Sequence, residues 1–83
     1  MIVDDEPANL EMLSRRLSVR GFQLLTAPSG PAALSLIKEA RPDLVLLDLM
    51  MPGMSGMETL SHIRERISSS ELPVIMVTAN NDR

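Results

Sequence analysis

The sequence predicts an α/β domain, a three-layer, doubly wound parallel sheet built in the order β-α-β-α-β-α-β. Two uninterrupted apolar runs, Leu44-Val45-Leu46-Leu47 and Val74-Ile75-Met76-Val77, have the composition of strands covered on both faces. The segments between such runs carry leucines at helical spacing. Carboxylates close two of the expected strands, with Asp4 and Asp5 after Met1-Ile2-Val3 and Asp48 after Leu44-Val45-Leu46-Leu47. Open α/β sheets keep their crevice at those strand ends.

Met1-Ile2-Val3 is the closing part of a first strand, stopped by Asp4-Asp5-Glu6. Pro7 suits the first turn of a helix, and the acids before it suit the positive end of the helix dipole. Leu10, Leu13 and Leu17 recur on one face, with Ser14, Arg15 and Arg16 between them. They predict an amphipathic helix from Pro7 to about Arg20, stopped by Gly21. Phe22 to Ala27 then forms a second strand, packed through Leu24, Leu25 and Ala27. Pro28-Ser29-Gly30-Pro31 is turn chemistry that places Ser29 at the N-cap of a second helix reaching about Ala40. Ala33, Leu34 and Ile37 form its buried face, and Arg41 ends it because a residue before proline avoids the α region. The third strand closes on Asp48. After the loop Leu49-Met50-Met51-Pro52-Gly53-Met54, a third helix starts near Ser55 or Gly56 and buries Leu60, Ile63 and Ile67. Ser68-Ser69-Ser70 reads as a linker, and the fourth strand runs from Pro73 to Val77 before Thr78-Ala79.

A chain of 83 residues holds one small domain and is short for a doubly wound sheet. Its net charge of −3, with the signs interspersed, recommends neither nucleic acid nor an anionic membrane as a partner. Without cysteine there are no disulfides and no thiolate metal sites, and a reducing compartment is consistent. No apolar run is long enough to cross a bilayer, and no signal peptide opens the chain, so a cytoplasmic location is expected. Phe22 is the single aromatic residue, which argues against stacking on bases or sugars.

Taken alone, Asp48 closes a turn or caps the next element, and Asp4, Asp5 and Glu6 complement a helix dipole. Taken together, they present carboxylates at one edge of a parallel sheet. If the first and third strands are neighbours, Asp4, Asp5 and Asp48 crowd together, and such like charges raise at least one pKa unless a cation intervenes. Mg2+ suits the cluster, because it takes oxygen ligands and uses one or two carboxylates with phosphate oxygens. A carboxylate beside Mg2+ can act as a nucleophile on a phosphoryl group. Thr78, next to the small Ala79, is placed to donate to the same group. His62 lies off the Leu60 and Ile63 face and reads as a solvated surface residue. Met51, Met54 and Met57 have a spacing that Cu(I) could use, but Pro52 and Gly53 interrupt it, and loop packing is the better reading.

Three motifs, Asp4-Asp5-Glu6 with Pro7, Asp48-Leu49-Met50-Met51-Pro52 with Gly56, and Val77-Thr78-Ala79, closely resemble the receiver domain of bacterial two-component response regulators, along essentially the whole chain. The resemblance implies a flavodoxin-like receiver fold with strand order 2-1-3-4. Residues 1–83 would then be a partial receiver domain, with the family's fifth strand and last helices absent. It further implies that Asp48 is the phosphoacceptor, taking phosphate from a sensor histidine kinase or phosphotransfer protein. Asp5 would be a Mg2+ ligand, with Asp4 in the same pocket binding mainly through water, and Asp48 and the Met50 backbone carbonyl completing the set. Thr78 would follow the phosphoryl group and act as the switch. On this reading the domain is an acceptor and not an enzyme, touches neither nucleic acid nor membrane, and serves an output domain outside this chain. The family's fifth-strand lysine has no counterpart here, since Lys38 lies on the second helix. The alternative is therefore an inert or scaffold receiver fragment that cannot sustain phosphorylation. An aspartate-nucleophile phosphatase would need an acid at position 50, which is Met, and a nucleotide-binding fold would need a glycine-rich fingerprint after the first strand. With no fifth strand, the fourth is expected to be an open edge capable of self-association.

Overall fold

A computed structural model describes residues 1–77. The elements are β1 (Ile2–Val3), α1 (Pro7–Ser18), β2 (Thr26–Ala27), α2 (Gly30–Ala40), β3 (Val45–Asp48), α3 (Gly56–Arg64) and β4 (Val74–Val77). All strand pairs are parallel, and the sheet order is β2-β1-β3-β4. Val3 lies opposite both Ala27 and Leu47, while β3 and β4 run in register from Val45 and Val74 to Asp48 and Val77. This is the expected doubly wound α/β sheet, with β1 and β3 as neighbours.

Side chains alternate across a strand, and here the two sheet faces differ. On one face Val3, Ala27, Val45 and Leu47 are buried with Ala33 and Ile37 of α2, Ile63 of α3, and Met51 and Leu72 from loops. The other face carries Ile2, buried outside that cluster, with α1 packed on β1. Two helices thus cover one face and a single helix the other. Burial of β3 and β4 on both faces, as their composition predicted, is therefore corrected: Leu46 is only half-buried, and Ile75, in register with it, is 50% exposed. On α1 itself, Leu10, Leu13 and Leu17 are half-buried and no residue is fully so.

The caps follow local chemistry. Ser29 Oγ accepts the Ala32 N–H at 3.3 Å, and Arg41 ends α2 in the left-handed region, φ 49 and ψ 66, out of the α region that Pro42 disfavours. At α3, Ser55 Oγ accepts the Glu58 N–H at 3.1 Å while Glu58 Oε1 accepts the Ser55 N–H at 2.9 Å, a reciprocal capping box. Helix α1 stops at Ser18, two residues short of the expected Arg20, and Gly21 then turns the chain with φ +89.

Two further expectations change. The second strand spans only Thr26–Ala27, with Leu24 and Leu25 half-buried and Phe22 61% exposed. Its ladder partner β1 has two residues, flanked by the Ile2 N–H donating to the Leu25 carbonyl at 2.9 Å and the Asp4 N–H donating to the Ala27 carbonyl at 3.1 Å. The serine stretch is a built turn and not a linker. Ser68 donates from its N–H and hydroxyl to Glu71 Oε1 at 3.3 and 3.2 Å. The Arg64 guanidinium donates to the carbonyls of Ile67, Ser68 and Leu72 at 3.3, 3.2 and 2.9 Å. That clamp folds the turn back and delivers Leu72 into the core at 2% exposure.

Candidate functional site

Register builds the site. Because Val3 pairs with Leu47, the next residues, Asp4 and Asp48, emerge side by side from adjacent parallel strands. Asp5 joins them, and one oxygen from each of the three carboxylates lies within 4.8 Å of the others. Asp4 and Asp48 are buried and Asp5 is exposed. Asp4 Oδ1 accepts the Glu6 N–H at 2.9 Å, and Asp4 Oδ2 accepts Asn9 Nδ2 at 3.2 Å. Asp48 Oδ1 accepts the Met50 N–H at 3.3 Å. Among the described residues the two ion pairs, Arg15 with Glu11 and His62 with Glu65, lie elsewhere. Burial pushes the Asp48 carboxyl above the usual carboxylate range, the Met50 N–H opposes the rise, and the charges of Asp4 and Asp5 add to it. Clustered, two of the three buried, and without an ion pair among the described residues, these hard oxygen donors fit a divalent ion such as Mg2+.

The loop after β3 is shaped to carry Asp48. Met51 turns into the core while Met50 stays 69% exposed, so position 50 contributes backbone to the pocket whatever its side chain. Gly53 takes φ +78, a glycine conformation. At Gly56 a Cβ would collide with the Asp48 carbonyl oxygen and lie 2.8 Å from Leu49 Cα. The bare glycine lets α3 start directly beneath the end of β3, where the Gly56 N–H reaches the Leu49 carbonyl at 3.0 Å.

The structure thus brings together Asp4, Asp5 and Asp48, with the Met50 backbone beside them; Thr78 lies outside the described residues. Lys38 sits on α2, and His62 is an exposed residue 3.7 Å from Glu65. Asn9 was missed by sequence reasoning. Its signal is its place just inside a helix that begins at Pro7, close enough after Asp4 for its side chain to return over the strand end. A cleft of about 460 Å³ is not this site. It lies at the other end of β3, where Lys38 in the last turn of α2, Arg41 just after it and Arg66 just after α3 complement the helix dipoles.

Fold and pocket together define a doubly wound α/β domain with an acidic crevice at the carboxyl ends of β1 and β3. The chain belongs to the response regulator receiver domain family, whose model matches residues 1–83. It is 43% identical over 82 residues to the DNA-binding response regulator MtrA of Mycolicibacterium smegmatis, an alignment covering 99% of this chain and 35% of that protein. The chain spans about a third, or less, of the length of the curated relatives it matches. A CheY-like receiver domain protein from Methanospirillum hungatei superposes with a TM-score of 0.87 at 36% identity, over 100% of this chain and 66% of that one. The response regulator TrrA of Thermotoga maritima, solved in complex with Mg2+-BeF, superposes with a TM-score of 0.86 at 38% identity, over 96% and 68%.

Proposed function

We propose that this receiver is the phosphoacceptor of a two-component phosphorelay, with Asp48 taking a phosphoryl group from the phosphohistidine of a sensor histidine kinase or phosphotransfer protein. The observation that carries this reading is the meeting of the Asp4, Asp5 and Asp48 oxygens within 4.8 Å at the ends of two adjacent strands. Asp4, Asp5, Asp48 and the Met50 carbonyl would hold Mg2+, which when bound offsets negative charge on the transferring oxygens. The Met50 N–H holds Asp48 Oδ1, leaving Oδ2 as the attacking oxygen. As the O–P bond forms, the P–N bond of the phosphohistidine breaks, the imidazole leaves with the electron pair and takes up a proton, and Asp48 becomes an acyl phosphate. Thr78 is assigned the phosphoryl contact and switch by the family motif. The domain is a phosphate acceptor and not a turnover enzyme. The similarity to MtrA, a DNA-binding response regulator, supports an output module elsewhere in the protein to which this receiver belongs.

Intact-mass spectrometry after incubation with phosphoramidate and Mg2+ tests the reading. One phosphoryl adduct is expected on the wild-type chain and none on Asp48→Asn. Mg2+ uptake without any adduct would favour the inert or scaffold receiver instead, and equal adducts on both chains would place the acceptor elsewhere.

A further inference from the structure

Asn9 is half-buried in the first turns of α1, and its side-chain amide donates to Asp4 Oδ2 at 3.2 Å. Asp4 Oδ1 is held at the same time by the Glu6 N–H at 2.9 Å. Both oxygens of Asp4 are therefore tied to the start of one helix. Asp5, exposed beside it, is not tied to α1 in this way; its carboxylate lies against that of Asp48. Two adjacent acids at one strand end thus differ in freedom. One is buried and clamped by the helix; the other is exposed and untied to it. Groups that hydrogen-bond a metal-binding carboxylate from behind set its orientation and are felt in metal affinity.

We propose that Asn9 is a positioning residue of the acidic pocket, which fixes the Asp4 carboxylate and thereby leaves Asp5 as the carboxylate that closes on the cation. Without the Asn9 amide, Asp4 keeps only the Glu6 N–H and rotates about its remaining bond. It then faces Asp5 and Asp48 in varied orientations instead of one. The clamp also acts from α1, so the helix start and the pocket are held as a single piece. This inference rests on the Mg2+ reading above, and the test separates the two.

Asn9→Leu removes the donor while keeping size and neutrality, with no loss of helix propensity, and Asn9→Gln keeps a donor one methylene further out. Mg2+ binding by calorimetry, and the gain in melting temperature on adding Mg2+, are measured for wild type and both variants. A weakening of about ten-fold is expected for Asn9→Leu, with part of it recovered in Asn9→Gln. The Mg2+-dependent gain in melting temperature should shrink in step, because that gain reports affinity. A residue that only stabilised the helix would lower the metal-free and Mg2+-loaded melts equally and leave the affinity alone; that result, or equal affinities in wild type and Asn9→Leu, overturns the inference. A wild-type chain that takes up no Mg2+ overturns the proposed metal site itself, and the inference with it.

Discussion

Asp4 and Asp48 emerge side by side from β1 and β3, one residue past the Val3 and Leu47 pair, both buried and with oxygens inside a 4.8 Å cluster that makes no ion pair among the described residues. Such a pair works against the fold whenever both are ionised.

The first prediction concerns the Asp48 carboxyl, which burial first and then Asp4 and Asp5 hold above the usual carboxylate range. A carboxyl whose pKa is raised on folding favours the folded state at pH values below its unfolded pKa, and that contribution is lost as pH rises through the folded pKa. Ionising Asp48 thus costs the fold stability. Asp48→Asn should therefore raise the melting temperature of the metal-free chain at pH 7 and reduce the fall in stability between acid and neutral pH. Thermal melts in EDTA across that range check it; a variant less stable than wild type at pH 7 would show that the Met50 N–H outweighs burial and the neighbouring charges.

Asp5 and Glu6 are neighbours with different expected roles. Glu6 is exposed, and it is its backbone N–H that holds Asp4, a bond that survives Glu6→Gln. Asp5→Asn removes an anionic oxygen from the cluster, so Mg2+ affinity should fall by at least about ten-fold, the cost of losing even an outer-shell group. Glu6→Gln should change it far less. Titration calorimetry giving the reverse order would reassign the ligand.

Gly56→Ala would ordinarily favour a helix by up to about 1 kcal/mol. Here the added Cβ meets the Asp48 carbonyl oxygen and Leu49 Cα, which are backbone atoms and yield only if the end of β3 moves. A net loss of about 1–3 kcal/mol is expected, together with slower phosphoryl uptake. Urea melts and timed mass spectrometry read both effects. Wild-type stability would mean that α3 slides at little cost.

The strand ends, the cap at Ser29, the start of α3 near Ser55 and the acid cluster were legible in the sequence because each is written in a few adjacent residues. Length of pairing was not: Leu24 and Leu25 are apolar enough for a strand, but their ladder depends on how much of β1 stands opposite. Coverage was not legible either, since the run around Ile75 has the same composition whether its second face meets a helix or water. Leu72 and Asn9 escaped because their roles arise from side chains elsewhere, the Arg64 guanidinium and the Asp4 carboxylate.

Arg64 provides the fourth prediction. Its three carbonyl partners tie α3 to the turn that delivers Leu72 into the core and starts β4. Arg64→Ala should cost about 2 kcal/mol, the scale of a charged group's hydrogen bonds, whereas Arg66→Ala, exposed two residues on, should cost under about 0.5 kcal/mol. Denaturant melts of the pair measure the difference; equal losses would show that the carbonyls are served as well by water.

The last prediction concerns β4. Among the described residues it pairs only with β3, so its outer edge is a row of backbone donors and acceptors open to another strand. On the face served by α1 alone, Ile75 is 50% exposed and Leu46 half-buried, which adds apolar surface beside that edge. Both features favour pairing of β4 edges between two copies, and the 83-residue chain should therefore self-associate with rising concentration. Ile75→Lys places a charge on this strand without disturbing the core on the opposite face. It should keep the chain monomeric at a stability cost of about 1 kcal/mol or less, the range of changes at partly exposed sites. Light scattering and denaturant melts over a range of concentrations decide the matter. A wild-type chain that stays monomeric and unfolds in one sharp, concentration-independent transition would show that β4 needs no partner copy.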